Sequence, residues 1–118
     1  MRLILSFEEE YRMYIEAIAA AIRQFRSDAE VVVLAKQDAD ELEAEVERTG
    51  TQLLIACPPI PENPVDEQLT SSIELAPDTN QPSRFRVGQR YWETTNPTLA
   101  EILSVVDETK RLSRTSRE

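Results

Sequence analysis

Cys57 is the only thiol in the chain, and it ends an apolar run, Leu53-Leu54-Ile55-Ala56-Cys57, just before Pro58-Pro59. A thiol at the C-terminal end of a buried strand lies where open α/β sheets place their ligands, so nucleophilic or redox chemistry is the first reading to weigh. That chemistry uses the thiolate, which needs a cationic neighbour or a base. The sequence has no histidine, and no lysine falls between Lys36 and Lys110. A Ser-His-Asp triad, a Cys-His dyad and a histidine-held metal are therefore excluded. One cysteine makes neither an internal disulfide nor a multi-cysteine zinc site. The competing reading, a small buried hydrophobe, is the preferred one for Cys57.

Two other groups are weighed in the same way. Glu8, Glu9 and Glu10 would face a cation beside Cys57 across the strand ends, but as acids in a first helical turn they are explained by the helix dipole without a ligand. Arg84, Arg86 and Arg90 with Tyr91 and Trp92 form the most site-like cluster. Arginines on one sheet face would grip a carboxylate or phosphate bidentately, and Arg, Tyr and Trp are favoured at protein interfaces. The plainer reading is that charge shields an edge strand while Trp92 packs in the core.

These residues are positioned by a legible order of elements. Leu3-Ile4-Leu5 reads as a buried strand, and Ser6-Phe7-Glu8-Glu9 as a capping box opening a helix over 8–25, with Tyr11, Ile15, Ile18, Ile22 and Phe25 as its apolar stripe. Glu30 to Ala35 reads as a strand buried on both faces. Asp38 or Asp40 caps a second helix bearing Leu42 and Val46, and Gly50 ends it. Leu53–Cys57 is the third strand, and the proline-rich segment 58–71 reads as an ordered loop. Ile73-Glu74-Leu75 alternates as a half-exposed strand whose direction is open, and Pro77–Asn80 is a turn. Phe85 and Val87 share one face of the next strand, with Arg84 and Arg86 on the other, and Gly88-Gln89 suits a two-residue hairpin loop returning through Arg90–Glu93. Asn96-Pro97 starts a final helix with Leu99, Ile102, Leu103 and Val106 toward the core. The expectation is one α/β domain over 1–112, a three-layer βαβαβ core with a C-terminal β-hairpin and a final helix, followed by a frayed tail over 113–118.

Residues 2–61 resemble the response-regulator receiver domain, a flavodoxin-like fold. The resemblance rests on Leu3-Ile4-Leu5-Ser6-Phe7-Glu8-Glu9 in the place of the first strand and its acidic pair, and on Gln52–Pro59 in the place of the third strand and its loop. Cys57 stands where that family carries its phosphoacceptor aspartate, Phe7 replaces the first metal-binding acid, and only Glu8 matches an acid. Phosphoryl transfer needs a carboxylate and Mg²⁺ held by its neighbours. The resemblance therefore implies a pseudo-receiver, a related scaffold without phosphotransfer.

Composition bounds the function. The chain has 118 residues with 13 basic and 22 acidic side chains, for a formal charge of −9. Residues 1–82 hold 6 basic and 17 acidic side chains, and 83–118 hold 7 and 5, so the acidity belongs to the first two-thirds. That body would repel nucleic acid and anionic membranes, while the basic final third leaves a local anion site open. No apolar run is long enough to span a bilayer, and a cytoplasmic setting is expected. The expected function is a non-enzymatic receiver-like interaction or regulatory module with a protein partner or a second copy of itself, without cofactor or metal. The alternative is a small-molecule or anion sensor at the strand ends near Glu8 and Cys57 or on the Arg84/Arg86/Arg90 face. A thiol enzyme using Cys57 is the third reading.

Overall fold

The three apolar runs of the first half pair in parallel. In the computed structural model, which describes residues 1–35, 39–57, 69–78 and 80–115, they form β1 (Arg2–Phe7), β2 (Glu30–Ala35) and β3 (Leu53–Cys57). β4 (Ser71–Glu74) joins β3, again in parallel, with Ile55 opposite Ile73. β5 (Pro82–Val87) and β6 (Arg90–Thr95) follow in antiparallel pairing, giving one mixed sheet of order β2-β1-β3-β4-β5-β6. The helices are α1 (Arg12–Phe25), α2 (Ala39–Thr49) and α3 (Leu99–Thr115).

The strand order explains the three layers. The chain steps from β1 out to β2, then back across β1 to β3, and right-handed crossovers in opposite directions place successive helices on opposite faces. Alternation along each strand then sorts the side chains. Leu3, Leu5, Leu53, Ile55, Ile73 and Phe85 go to one face, where Ile15, Ile18 and Ile22 of α1 and Ile102, Val105 and Val106 of α3 cover them. Ile4 and Leu54 go to the other face and meet Leu42 and Val46 of α2 together with Leu69.

Polar contacts tie α3 to its neighbours. Arg26 grips Asp107 bidentately, Nε to Oδ1 at 2.6 Å and Nη2 to Oδ2 at 2.8 Å, and Lys110 pairs with Asp28. Thr109, fully buried, has its Oγ1 at 2.7 Å from both Ser71 Oγ and the Val105 carbonyl. A carbonyl only accepts and the hydroxyl has one proton, so Thr109 donates to Val105 and accepts from Ser71.

Several sequence expectations are corrected. Ser6 does not cap a helix: β1 runs through Phe7, and Ser6 sits in register between Leu34 and Ala56. A central strand with ladder partners on both sides outcompetes a cap, so a 3-10 turn over Glu9–Tyr11 intervenes and α1 starts at Arg12. β2 is not buried on both faces, because the order 2-1-3 leaves it at the sheet edge, half-buried. The alternation of Ile73, Glu74 and Leu75 holds, with both apolar side chains buried and Glu74 half-buried, but the strand itself lies earlier, over Ser71–Glu74, and runs parallel to β3. Asn96 is not the cap of α3. It adopts φ +51°, while Thr98 and Glu101 form the capping box, Thr98 Oγ1 accepting from the Glu101 N–H and Glu101 Oε1 from the Thr98 N–H, both at 3.2 Å. The cap therefore lies two residues later; Leu99, expected toward the core, is exposed and Val105 is buried, while Phe25, expected on the apolar stripe of α1, is exposed at the end of that helix. α3 continues through Thr115 with Ser113 buried, past the end expected at Leu112. Cap Asp38, most of the loop expected over 58–71 and the last residues 116–118 lie outside the described residues. Gly50 (φ +67°) ends α2 as expected, and Gly88 (φ +59°) is the only positive-φ residue of the β5–β6 turn.

Candidate functional site

β3 delivers Cys57 to the C-terminal end of the sheet, where Phe7 of β1 is its register partner and the Glu8 N–H donates to its carbonyl at 3.2 Å. Its position in the alternation points the thiol into the apolar layer beneath α1, 1% exposed. Burial, with a further contribution from the charge of Glu8, pushes the thiol up to about 11. The apolar surroundings therefore deactivate the thiol, and Glu8, just beyond the end of β1, adds to that. Among the described residues, no three Asp, Glu, Cys or His side chains gather as a metal site.

The arginine cluster splits. Hairpin register sets Arg84 opposite Glu93 and Arg86 opposite Tyr91 on one face, and Phe85 opposite Trp92 and Val87 opposite Arg90 on the other. Arg84, Arg86 and Tyr91 therefore share a face, while Arg90 and Trp92 point toward α3, so the expected three-arginine face does not form. Each guanidinium is also engaged. Arg84 lies 4.0 Å from Glu93. Half-buried Arg86 donates to the Gly88 and Leu69 carbonyls, both at 3.1 Å, which fastens the hairpin to the segment that leads into β4. Arg90 stands 5.7 Å above the Trp92 ring and 3.7 Å from Glu108. Trp92 in turn stacks on Phe85 at 5.3 Å, while Tyr91 remains 61% exposed.

Concave sites formed by the described residues include a groove and a cleft. A groove of about 480 Å³ runs between the hairpin and α3, lined by Val87, Arg90, Trp92, Ser104, Val105 and Glu108. A hydrogen bond from Arg111, with the charges of Arg111 and Arg90, holds the Glu108 carboxyl below its usual range, so this groove presents an internally neutralised rim. A smaller cleft of about 220 Å³ lies beyond the C-terminal ends of β1 and β4, lined by Tyr11, Tyr14, Asp78, Gln81, Ser83 and Asn96. It occupies the sheet end anticipated for a ligand, yet neither Glu8 nor Cys57 lines it. The sequence reading missed it because its walls come from four separate segments. The one local signal was the pair Tyr11 and Tyr14, three residues apart at the start of α1.

Burial raises both phenols above their ordinary value, aided at Tyr11 by Glu10, so both stay protonated at neutral pH. No helix among the described residues is long and apolar enough to cross a membrane. Compared with protein-family models, curated proteins and solved structures, the chain matches none.

Proposed function

We propose that this chain is a non-catalytic α/β interaction module that pairs with a second copy of itself along the edge of β6. The carrying observation is that β6 is the last strand of the sheet, with Tyr91 exposed on it. In an antiparallel hairpin closed by two residues, the backbone groups of Arg90, Trp92 and Thr94 turn toward β5, and those of Tyr91, Glu93 and Thr95 turn outward. A second β6 related by a two-fold axis through Trp92 sets Tyr91 of one protomer opposite Glu93 of the other, and Arg90 opposite Thr94. No like charges then oppose each other, whereas a two-fold through Glu93 would set two carboxylates face to face. The groove beside Trp92 adjoins the edge and supplies apolar area that a six-residue strand pair alone lacks.

The buried, deactivated Cys57 supports a role without thiol chemistry. A receiver-like regulatory role in the cytoplasm belongs to the same reading, supported by the parallel order β2-β1-β3-β4 with Cys57 closing β3. The alternative of an anion sensor on the arginines is weakened by their division between two faces.

Light scattering behind size exclusion tests the pairing. The wild-type chain should reach twice its 13.5 kDa at high micromolar concentration. Glu93→Pro removes an outward N–H at an edge position where proline is tolerated, so it should be a folded monomer. A wild-type monomer, or a Glu93→Pro dimer, overturns the reading.

A further inference from the structure

We infer that the cleft beyond the ends of β1 and β4 is a binding site for a small organic ammonium ion. This goes beyond the pairing at β6 and does not depend on it. Four segments build the cleft: Tyr11 and Tyr14 at the start of α1, Asp78 and Gln81 in the β4–β5 turn, Ser83 on β5, and Asn96 after β6. The sheet fixes their spacing. Ser83 Oγ accepts from the Ala76 N–H at 2.9 Å, and Asp78 Oδ1 accepts from the Asn80 N–H at 2.8 Å, so the turn and its carboxylate are held in place. Asn96 is the only non-glycine residue with positive φ among those described, and it forms part of the wall. Residues held in sparsely populated backbone regions gather at ligand sites.

Charge decides the class of ligand. Two helix N-termini flank the cleft and would by themselves favour an anion. At the start of α3 this is answered by Glu101, which accepts from the Thr98 N–H, while before α1 the 3-10 turn carries Glu10 beside Glu9, the latter paired with Arg12. No Lys or Arg is among the described residues that line the cleft, whereas Asp78 is. The charge of Glu10 also acts on Tyr11, where it adds to burial in raising the phenol. The described lining sets the rings of Tyr11 and Tyr14 with the Asp78 carboxylate and the neutral polar groups of Gln81, Ser83 and Asn96, and Tyr14 stays 44% exposed. Aromatic faces beside an acid attract a cation, most strongly one that is weakly hydrated, such as a quaternary ammonium. The volume of about 220 Å³ is below that of sites for drug-sized ligands, which selects a small ion.

Choline and its neutral isostere 3,3-dimethylbutan-1-ol test the assignment by titration calorimetry and by the shifts of the tyrosine ring signals in NMR. The isostere has the same shape without the charge. Choline should move the Tyr11 and Tyr14 ring signals and raise the melting temperature in a concentration-dependent way, as linkage requires. The isostere should bind at least about tenfold more weakly, and Tyr14→Leu and Asp78→Asn should each weaken choline by roughly two- to thirtyfold. Both variants alter exposed side chains, and Asp78→Asn keeps the shape, so loss of binding in a chain with unchanged circular dichroism reads the site rather than the fold. Equal binding of the two probes would reduce the cleft to an apolar hole. No saturable choline binding, or ring shifts that persist undiminished in both variants, would also overturn the inference.

Discussion

Alkylation of Cys57 by iodoacetamide separates a reactive thiol from a buried one, and its magnitude follows from the environment of the side chain. Only the thiolate reacts. With its pKa at about 11, Cys57 is thiolate at pH 7 to the extent of roughly one part in ten thousand. An unperturbed cysteine, with pKa near 8.5, is thiolate to about 3% at the same pH. Ionisation alone therefore slows native labelling by about 300-fold, and burial to 1% exposure adds the cost of opening the layer beneath α1 before the reagent arrives. The assay compares label incorporation by intact mass in native buffer and in concentrated urea, at equal pH and reagent concentration. The unfolded chain should label at the rate of a simple thiol, and the native chain at least about 300-fold more slowly. Native labelling within about tenfold of the urea rate would refute both the burial and the electrostatic argument and return Cys57 to the set of candidate nucleophiles.

The same thiol predicts a pH dependence of stability. The unfolded group ionises near 8.5 and the folded one at about 11, so stability present below about pH 8.5 should fall as pH rises toward 11, and Cys57→Ala should reduce the fall seen in thermal melts. Thr109→Val keeps the shape but strands Ser71 Oγ in a buried site, and should cost about 1–3 kcal/mol in urea unfolding. Adding Ser71→Ala should recover part of that loss, and simple additivity of the two costs would show that the hydroxyls are not coupled.

What could be read in the sequence was what depends on near neighbours. The apolar runs of β1 and β3, the stripe Ile15, Ile18 and Ile22, the glycine of the two-residue turn and the opposite facing of Phe85 and Arg86 all follow from period and turn chemistry. The misreadings depend on what lies alongside. Ser6-Phe7-Glu8-Glu9 matches a capping box as a string, and only the ladders to Leu34 and Ala56 show that its first residue belongs to a strand. Val31-Val32-Val33 has the composition of a central strand, and only the order 2-1-3 puts it at an edge. Asn96-Pro97 has the form of a cap, but a cap residue is extended, and Asn96 takes the left-handed region instead, leaving Thr98 to cap the helix.

The division of the arginines was within reach of the sequence. A two-residue loop at Gly88-Gln89 makes Val87 and Arg90 partners, and partners in an antiparallel pair share a face. Arg90 must then lie with Val87 and Phe85, away from Arg84 and Arg86. Grouping residues by closeness in the chain, rather than by the parity that the turn imposes, produced a three-arginine site that the hairpin cannot build. The same parity gives β6 its two roles. Side chains at Arg90 and Trp92 face α3 and shape the groove, while the backbone at Tyr91, Glu93 and Thr95 points away from β5, on the side of the proposed pairing. A single change of loop length would exchange these roles. The proposed pairing at β6 therefore depends on Gly88 as much as on the residues that would touch.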